Sequence, residues 1–199
     1  MIPHLGYRAN RLVIFAVRGV VFGIIMLIPL VAYVATLHAT GNFHTVVDGQ
    51  LYRSAQPEKE RLAGYLRDYG IRTVVNLRGA HPGATWYEYE RNAAADAGVR
   101  LIDFGISASE ILEDNRRSEI LRILREAAKP ILIHCKAGSD RTGLISLLYA
   151  YEVAGLDEEV AEDQLSLFFG HFGIPYLSPT YAMDETWELR EAALGLHGS

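Results

Sequence analysis

The sequence has one cysteine in 199 residues, so no disulfide can form within the chain and the lone thiol needs its own explanation. It has no cluster of Lys or Arg, and its formal charge is −5. Together these remove the electrostatic footprint of a nucleic-acid binder. Internal repeats and low-complexity tracts are also missing. The length suits one domain of ordinary size with an appendage.

Charge is missing altogether from residues 20–37, which read VVFGIIMLIPLVAYVATL. A core helix would carry a polar face at helical spacing, and this run has none. With its flanks it reaches the roughly 20 residues of a membrane span. Arg18 stands at the edge, where its stem can carry the guanidinium to the headgroups. Pro29 is expected to kink the helix, a feature that membrane spans tolerate. A cleaved signal peptide competes with a retained anchor, because Arg8, Arg11 and Arg18 resemble a basic n-region. Small residues, however, do not occupy both positions before a cut: Leu37-His38-Ala39 and Tyr33-Val34-Ala35 each start with a bulky side chain. The expected organisation is a short cytoplasmic N-terminus over 1–18, a transmembrane anchor over 19–38 and a single domain over 39–199. The three arginines precede the span and the next basic residue is Arg53, which places the N-terminus in the cytoplasm and the domain outside it, in the periplasm of a bacterium.

Beyond residue 42, short apolar runs alternate with helical patterns, the pattern of an α/β domain with a mostly parallel central sheet flanked by helices. A hairpin is expected over 44–54 around Asp48-Gly49, strands over 71–77, 99–106 and 131–134, and helices over 57–70, 85–97, 114–128, 141–155, 157–169 and 180–194. Asp114 or Asn115 is the expected cap of the helix over 114–128. Residues 131–133 are branched and apolar, as a strand buried on both faces should be, and they deliver their C-terminal end to Cys135.

The loop after that strand reads His134-Cys135-Lys136-Ala137-Gly138-Ser139-Asp140-Arg141-Thr142-Gly143. A loop between a buried strand and a helix can curl its backbone N–H groups into a nest while the helix N-terminus adds positive partial charge. Arg141 adds a planar fork of donors for two phosphate oxygens. Gly138 permits close approach or a positive φ. The phosphate cradle is therefore expected from Lys136 through Arg141. Donors that hold an anion also favour the thiolate of Cys135, the nucleophilic form. Attack on phosphorus would give a phosphocysteine, later hydrolysed by water.

Cys135, five intervening residues and Arg141-Thr142 resemble the signature of the cysteine-dependent protein tyrosine phosphatase superfamily. Leu51 through Pro57 and Val75 through Arg78 are similar to segments of its compact bacterial dual-specificity-like branch. The resemblance implies a phosphatase in which Cys135 is the nucleophile, Arg141 binds phosphate and Thr142 assists breakdown of the phosphocysteine. It implies no metal or other cofactor. Asp140, beside the loop arginine, and Asp103, upstream of the cysteine, are equal candidates for the general acid, with Glu110, Glu113 and Asp114 also nearby in sequence. Lys136 occurs in relatives that act on phosphoinositides, inositol pyrophosphates or phosphatidylglycerophosphate. The expected partner is thus a phosphorylated protein or a phospholipid, and a non-catalytic phosphate-binding module is the other reading. His134 is expected to be a hydrogen-bonded scaffold residue, His171 a surface or packing residue, Trp86 and Tyr87 packing residues, and Arg53 and Arg78 either surface charges or parts of the pocket rim.

Overall fold

The computed structural model describes residues 4–196, without the side chains of residues 4–14, 16, 20, 24 and 26. The chain divides into two units, Met1–Ala39 and Thr40–Ser199. The helix α1 runs from His4 to Thr40, all but its last residue in the first unit, and continues through Pro29. Its segment Val17–Thr40, whose most apolar 18 residues have a mean hydropathy of 2.6, is 24 residues long. At about 1.5 Å per residue this is roughly 36 Å of helix. The charges at Arg8 and Arg11 lie outside the described side chains.

The second unit contains β1 (His44–Val47), β2 (Leu51–Ser54), α2 (Lys59–Asp68), β3 (Thr73–Asn76), α3 (Thr85–Asp96), β4 (Arg100–Asp103), α4 (Asp114–Glu126), β5 (Ile131–His134), α5 (Asp140–Glu152), α6 (Glu158–Glu162) and α7 (Ala182–Leu194). The sheet order is β1-β2-β5-β3-β4, with only the edge strand β1 antiparallel to its neighbour. Strand side chains alternate between faces, and β5 shows the result. Ile131 and Ile133 join the larger core with α4, α5 and α7, whereas Leu132 joins the smaller one with Leu62 and Leu66 of α2. Helices thus cover both faces of the sheet.

The register aligns Ser54, His134, Asn76 and Asp103 in one row across the C-terminal ends of β2, β5, β3 and β4. Ligands of open α/β sheets bind outside those ends. From this row the chain enters the loop at Cys135 and then α5, whose residues Thr142 through Ala150 are all buried. A helix buried all round needs neighbours on every side: α5 has the sheet and α4 on one side, and the 3-10 turn Asp163–Leu165 with α6 and α7 on the other.

Several boundaries differ from the sequence reading. Helix α4 starts at Asp114 with Glu113 at the cap and no side-chain capping bond, while Asn115 Oδ1 accepts the Arg116 N–H instead. The expected helix over 157–169 is one short α-helix followed by two 3-10 turns, Asp163–Leu165 and Leu167–Phe169. A 3-10 turn, Pro179–Tyr181, likewise precedes α7. Leu148 is fully buried on α5 within the larger core. Leu148→Ala should lower unfolding free energy by about 2–5 kcal/mol in urea denaturation of the full chain.

Candidate active site

Peptide units are planar and trans, so a carbonyl turned one way sends the following N–H the other way. Three carbonyls of the loop after β5 are held outward by groups from elsewhere in the fold. The Gln56 N–H donates to Lys136 O at 3.2 Å. The Asn42 side-chain amide donates to Ala137 O at 3.1 Å and to Phe169 O at 2.8 Å. The Arg53 guanidinium donates to Gly138 O at 2.8 Å. The amides that follow these carbonyls are thereby turned toward the inside of the loop, and the Gly138 N–H meets Cys135 Sγ at 3.2 Å.

Gly138 is required twice over. Its φ is +76°, and a Cβ there would fall 2.6 Å from Ala55 N and 2.7 Å from the Ser54 carbonyl carbon. The loop therefore closes directly on the end of β2.

Arg53 is not a surface charge: it is fully buried. Its second nitrogen donates to Gln164 O at 2.5 Å and Oε1 at 3.1 Å, and the guanidinium lies 3.8 Å from the Phe169 ring centroid. Burial pulls its pKa down to about 9, opposed by attraction to Cys135. Beneath the loop, His134 Nε2 pairs with Glu90 of α3, and both residues are buried. His134 is thus the scaffold residue expected, and Glu90 is its partner.

Cys135 is buried at the floor. Arg141 reaches across to the β3 and β4 ends, donating to Leu77 O at 3.3 Å and Ile106 O at 3.4 Å, and its buried Nε has no partner among the described residues. The buried Thr142 Oγ1 is likewise unpartnered there. Lys136 is exposed. Arg78 lies 3.5 Å from the Trp86 ring centroid and donates to Gln56 Oε1 at 3.0 Å. Burial and then repulsion from Arg141 lower its pKa, while Glu90 and Cys135 attract it. Trp86 therefore supports a cation at the rim.

The two candidate acids occupy different settings. Asp103, two strands and roughly 10 Å along the sheet from His134, accepts Asn76 Nδ2 at 2.8 Å and the Tyr87 hydroxyl at 2.5 Å. Tyr87 is thus more than packing, and its bond to Asp103 raises its pKa to about 12. Asp140 opens α5, accepts the Ser139 hydroxyl at 3.2 Å and meets His171 Nδ1 at 2.8 Å. Burial works against its charge, but the bonds from His171 and Ser139 prevail and lower its pKa. Asp114 instead pairs with Arg117. Contrary to the surface or packing role expected, His171 is a buried ionic link, with Nε2 2.9 Å from Asp184 Oδ2. Its position 30 residues beyond the loop arginine left no local signal. One other acidic group stands out: Glu158, Glu162 and Glu191 place carboxylate oxygens within 4.8 Å of one another. Burial, then hydrogen bonds with Glu162 and Glu158, and after them repulsion from the same two carboxylates, raise the Glu191 pKa to about 7.

The family model described as the tyrosine phosphatase family matches residues 36–165. Dual specificity protein phosphatase TpbA of Pseudomonas aeruginosa is 31% identical over 125 residues, covering 62% of this chain and 52% of TpbA. Inositol diphosphatase DSP2 of Oryza sativa is 34% identical over 123 residues, covering 59% of this chain and 57% of the relative. The chain spans about half the length of the curated relatives it matches. The crystal structure of TpbA superposes with a TM-score of 0.59 at 25% identity, covering 79% of this chain and 92% of that one. The core catalytic domain of the PP-IP phosphatase SIW14 from S. cerevisiae, in complex with citrate, shares the fold with a TM-score of 0.56 at 22% identity, over 79% and 94% of the two chains.

The pH dependence of stability follows from His171. Burial opposes its charge, but bonds to Asp140 and Asp184 raise its pKa from 6.5 to about 9. A base with a raised folded pKa contributes stability that is complete below its unfolded pKa and lost as pH climbs through its folded one. Urea midpoints should therefore show a loss between pH 6.5 and about 9 that flattens in His171→Gln.

Proposed function

Because this chain belongs to the tyrosine phosphatase family, we propose that it is a phosphatase that hydrolyses phosphomonoesters through a phosphocysteine on Cys135. The observation that carries this reading is the set of outward-held carbonyls at Lys136, Ala137 and Gly138, which turns loop amides toward the thiol. In the first step Sγ attacks phosphorus, the sulfur–phosphorus bond forms, the ester bond breaks and the leaving oxygen takes a proton. In the second, water attacks phosphorus, sulfur departs as thiolate and the water's proton passes to a base. Loop amides and the Arg141 fork hold the equatorial oxygens in both steps. Thr142 assists the second, a role supported by its Oγ1 being buried without a partner among the described residues.

Asp140, kept ionised by His171, suits the base of the second step, whereas Asp103 at the sheet rim is the alternative proton donor of the first. Two cations beyond Arg141, the rim residues Arg78 and Lys136, favour a second reading in which the substrate carries several phosphates, an inositol pyrophosphate or a phospholipid headgroup. Relatives named inositol diphosphatases support it, as does the TpbA crystal structure with phosphotyrosine for the first reading. The domain over 39–199 acts from an anchor over 19–38, with residues 1–18 in the cytoplasm and the catalytic side outside it. The 24-residue apolar helix and Arg18 at its edge support that arrangement.

Full-length protein should release phosphate from an aryl phosphate in the presence of a metal chelator, and Cys135→Ser should abolish turnover; activity surviving the substitution sinks the mechanism. Arg78→Met should raise KM for an inositol pyrophosphate about tenfold, the equivalent of ~1.4 kcal/mol, while changing KM for the aryl phosphate little. Equal effects on both would discard the polyphosphate reading.

A further inference from the structure

The ring of His171 is 3% exposed as a residue and lies between two carboxylates. Nδ1 is 2.8 Å from Asp140 Oδ1, and Nε2 is 2.9 Å from Asp184 Oδ2. A neutral imidazole carries one N–H and would leave its other nitrogen facing a carboxylate lone pair to lone pair. Only the imidazolium donates to both. Among the described residues, the charged groups that act on the ring are Asp140 from α5 and Asp184 from α7, and the Ser139 hydroxyl completes the shell of Asp140.

The chain packs tightly around this link. A Cβ added at Gly173 would overlap the Asp184 carboxylate, so the segment that carries His171 closes directly on α7. Both His171 and Asp184 lie beyond residue 165, where the family match ends. The C-terminal segment thus meets Asp140 through His171, with Asp184 behind the ring, and the match includes neither residue.

We propose that His171 and Asp184 are positioning residues that hold the Asp140 carboxylate as the base for the water that hydrolyses the phosphocysteine. This rests on the phosphocysteine reading above. In that step the oxygen–phosphorus bond forms, the sulfur–phosphorus bond breaks with its electron pair returning to Cys135, and the water's proton goes to Asp140. Asp140 is partly exposed, so the proton then leaves to solvent. The imidazolium stays charged throughout and holds Asp140 Oδ1, which leaves Oδ2, shared with the Ser139 hydroxyl, to take the proton.

The test is rapid-mixing kinetics of the full chain with an aryl phosphate that has a good leaving group, together with intact-mass detection of phosphocysteine. In His171→Gln the burst should keep its rate while steady-state turnover falls roughly 100-fold, the size of a lost general base, and phosphocysteine should accumulate. Asp184→Asn keeps an acceptor for Nε2 but removes a charge, so the alkaline limb of kcat should move to lower pH with a smaller loss of rate. Gly173→Ala, which displaces Asp184, should move the limb the same way. Burst and steady-state rates that fall together, or lower melting temperatures with unchanged pH profiles, overturn the positioning role. If His171→Gln does not fold, the other two variants decide it by the same readout. Absence of phosphocysteine in every form, wild type included, refutes the underlying mechanism and the proposal with it, whereas accumulation equal in wild type and variants refutes the proposal alone.

Discussion

The direction of three carbonyls governs the rest of this molecule. A loop of consecutive amides can face an anion only if its carbonyls face away, and buried carbonyls need donors. Here the donors come from three separated places: Asn42 ahead of β1, Arg53 within β2 and the Gln56 amide beyond it. The first of these also holds Phe169 O, and the second holds Gln164, so the segment after α6 is tied into the same arrangement. The strand β2 must therefore lie directly beside β5, as the parallel register from Leu51↔Ile131 to Ser54↔His134 provides. Gly138 then fits against the end of β2 because no Cβ intervenes.

Such a site buries charge, and buried charge is costly unless it is paired and bonded. Arg53 is bonded to carbonyl oxygens and lies against an aromatic face but has no carboxylate partner among the described residues, which leaves its positive charge uncancelled near Cys135 and its pKa lowered. His134 and Glu90 pair with each other under the loop and join α3 to β5. His171 sits between Asp140 and Asp184 and joins α5 to α7. Each pair crosses between elements distant in sequence, so the positions of the flanking helices and the electrostatics of the loop are set by the same contacts. Breaking one partner would leave the other buried without compensation.

The parts legible in the sequence were those in which a residue's role follows from its immediate neighbours. The alternation of apolar runs located the hairpin and β3, β4 and β5. The run from His134 to Gly143 located the loop that carries Cys135, Gly138 and Arg141, because strand, loop and helix are contiguous there. Where two physical tendencies competed, the reading slipped. Asp114 and Asn115 are good caps by type, yet Asp114 is engaged by Arg117 inside the helix and the chain turns one residue earlier, at Glu113. The acidic first turn after Asp157 does start a helix, but Gly143 admits the backbone of Gln164 and Leu165 so closely against α5 that the chain continues as tighter 3-10 turns.

Sequence by itself determined the loop from His134 to Gly143, the alternating α/β order and an apolar helix long enough to cross a bilayer, since each depends on contacts or periodicities within a few residues. Only tertiary structure decided which distant side chains complete the loop. Nothing local distinguishes Arg53 from Arg78, yet one is buried against carbonyls and the other lies over Trp86 at the rim. Nothing local separates Asp103 from Asp140 as candidates, yet one is tied to Tyr87 and Asn76 while the other receives His171. Burial and the pairing of charges arise from elements meeting in space, and that meeting is fixed by strand order and helix packing, which no short window of sequence contains.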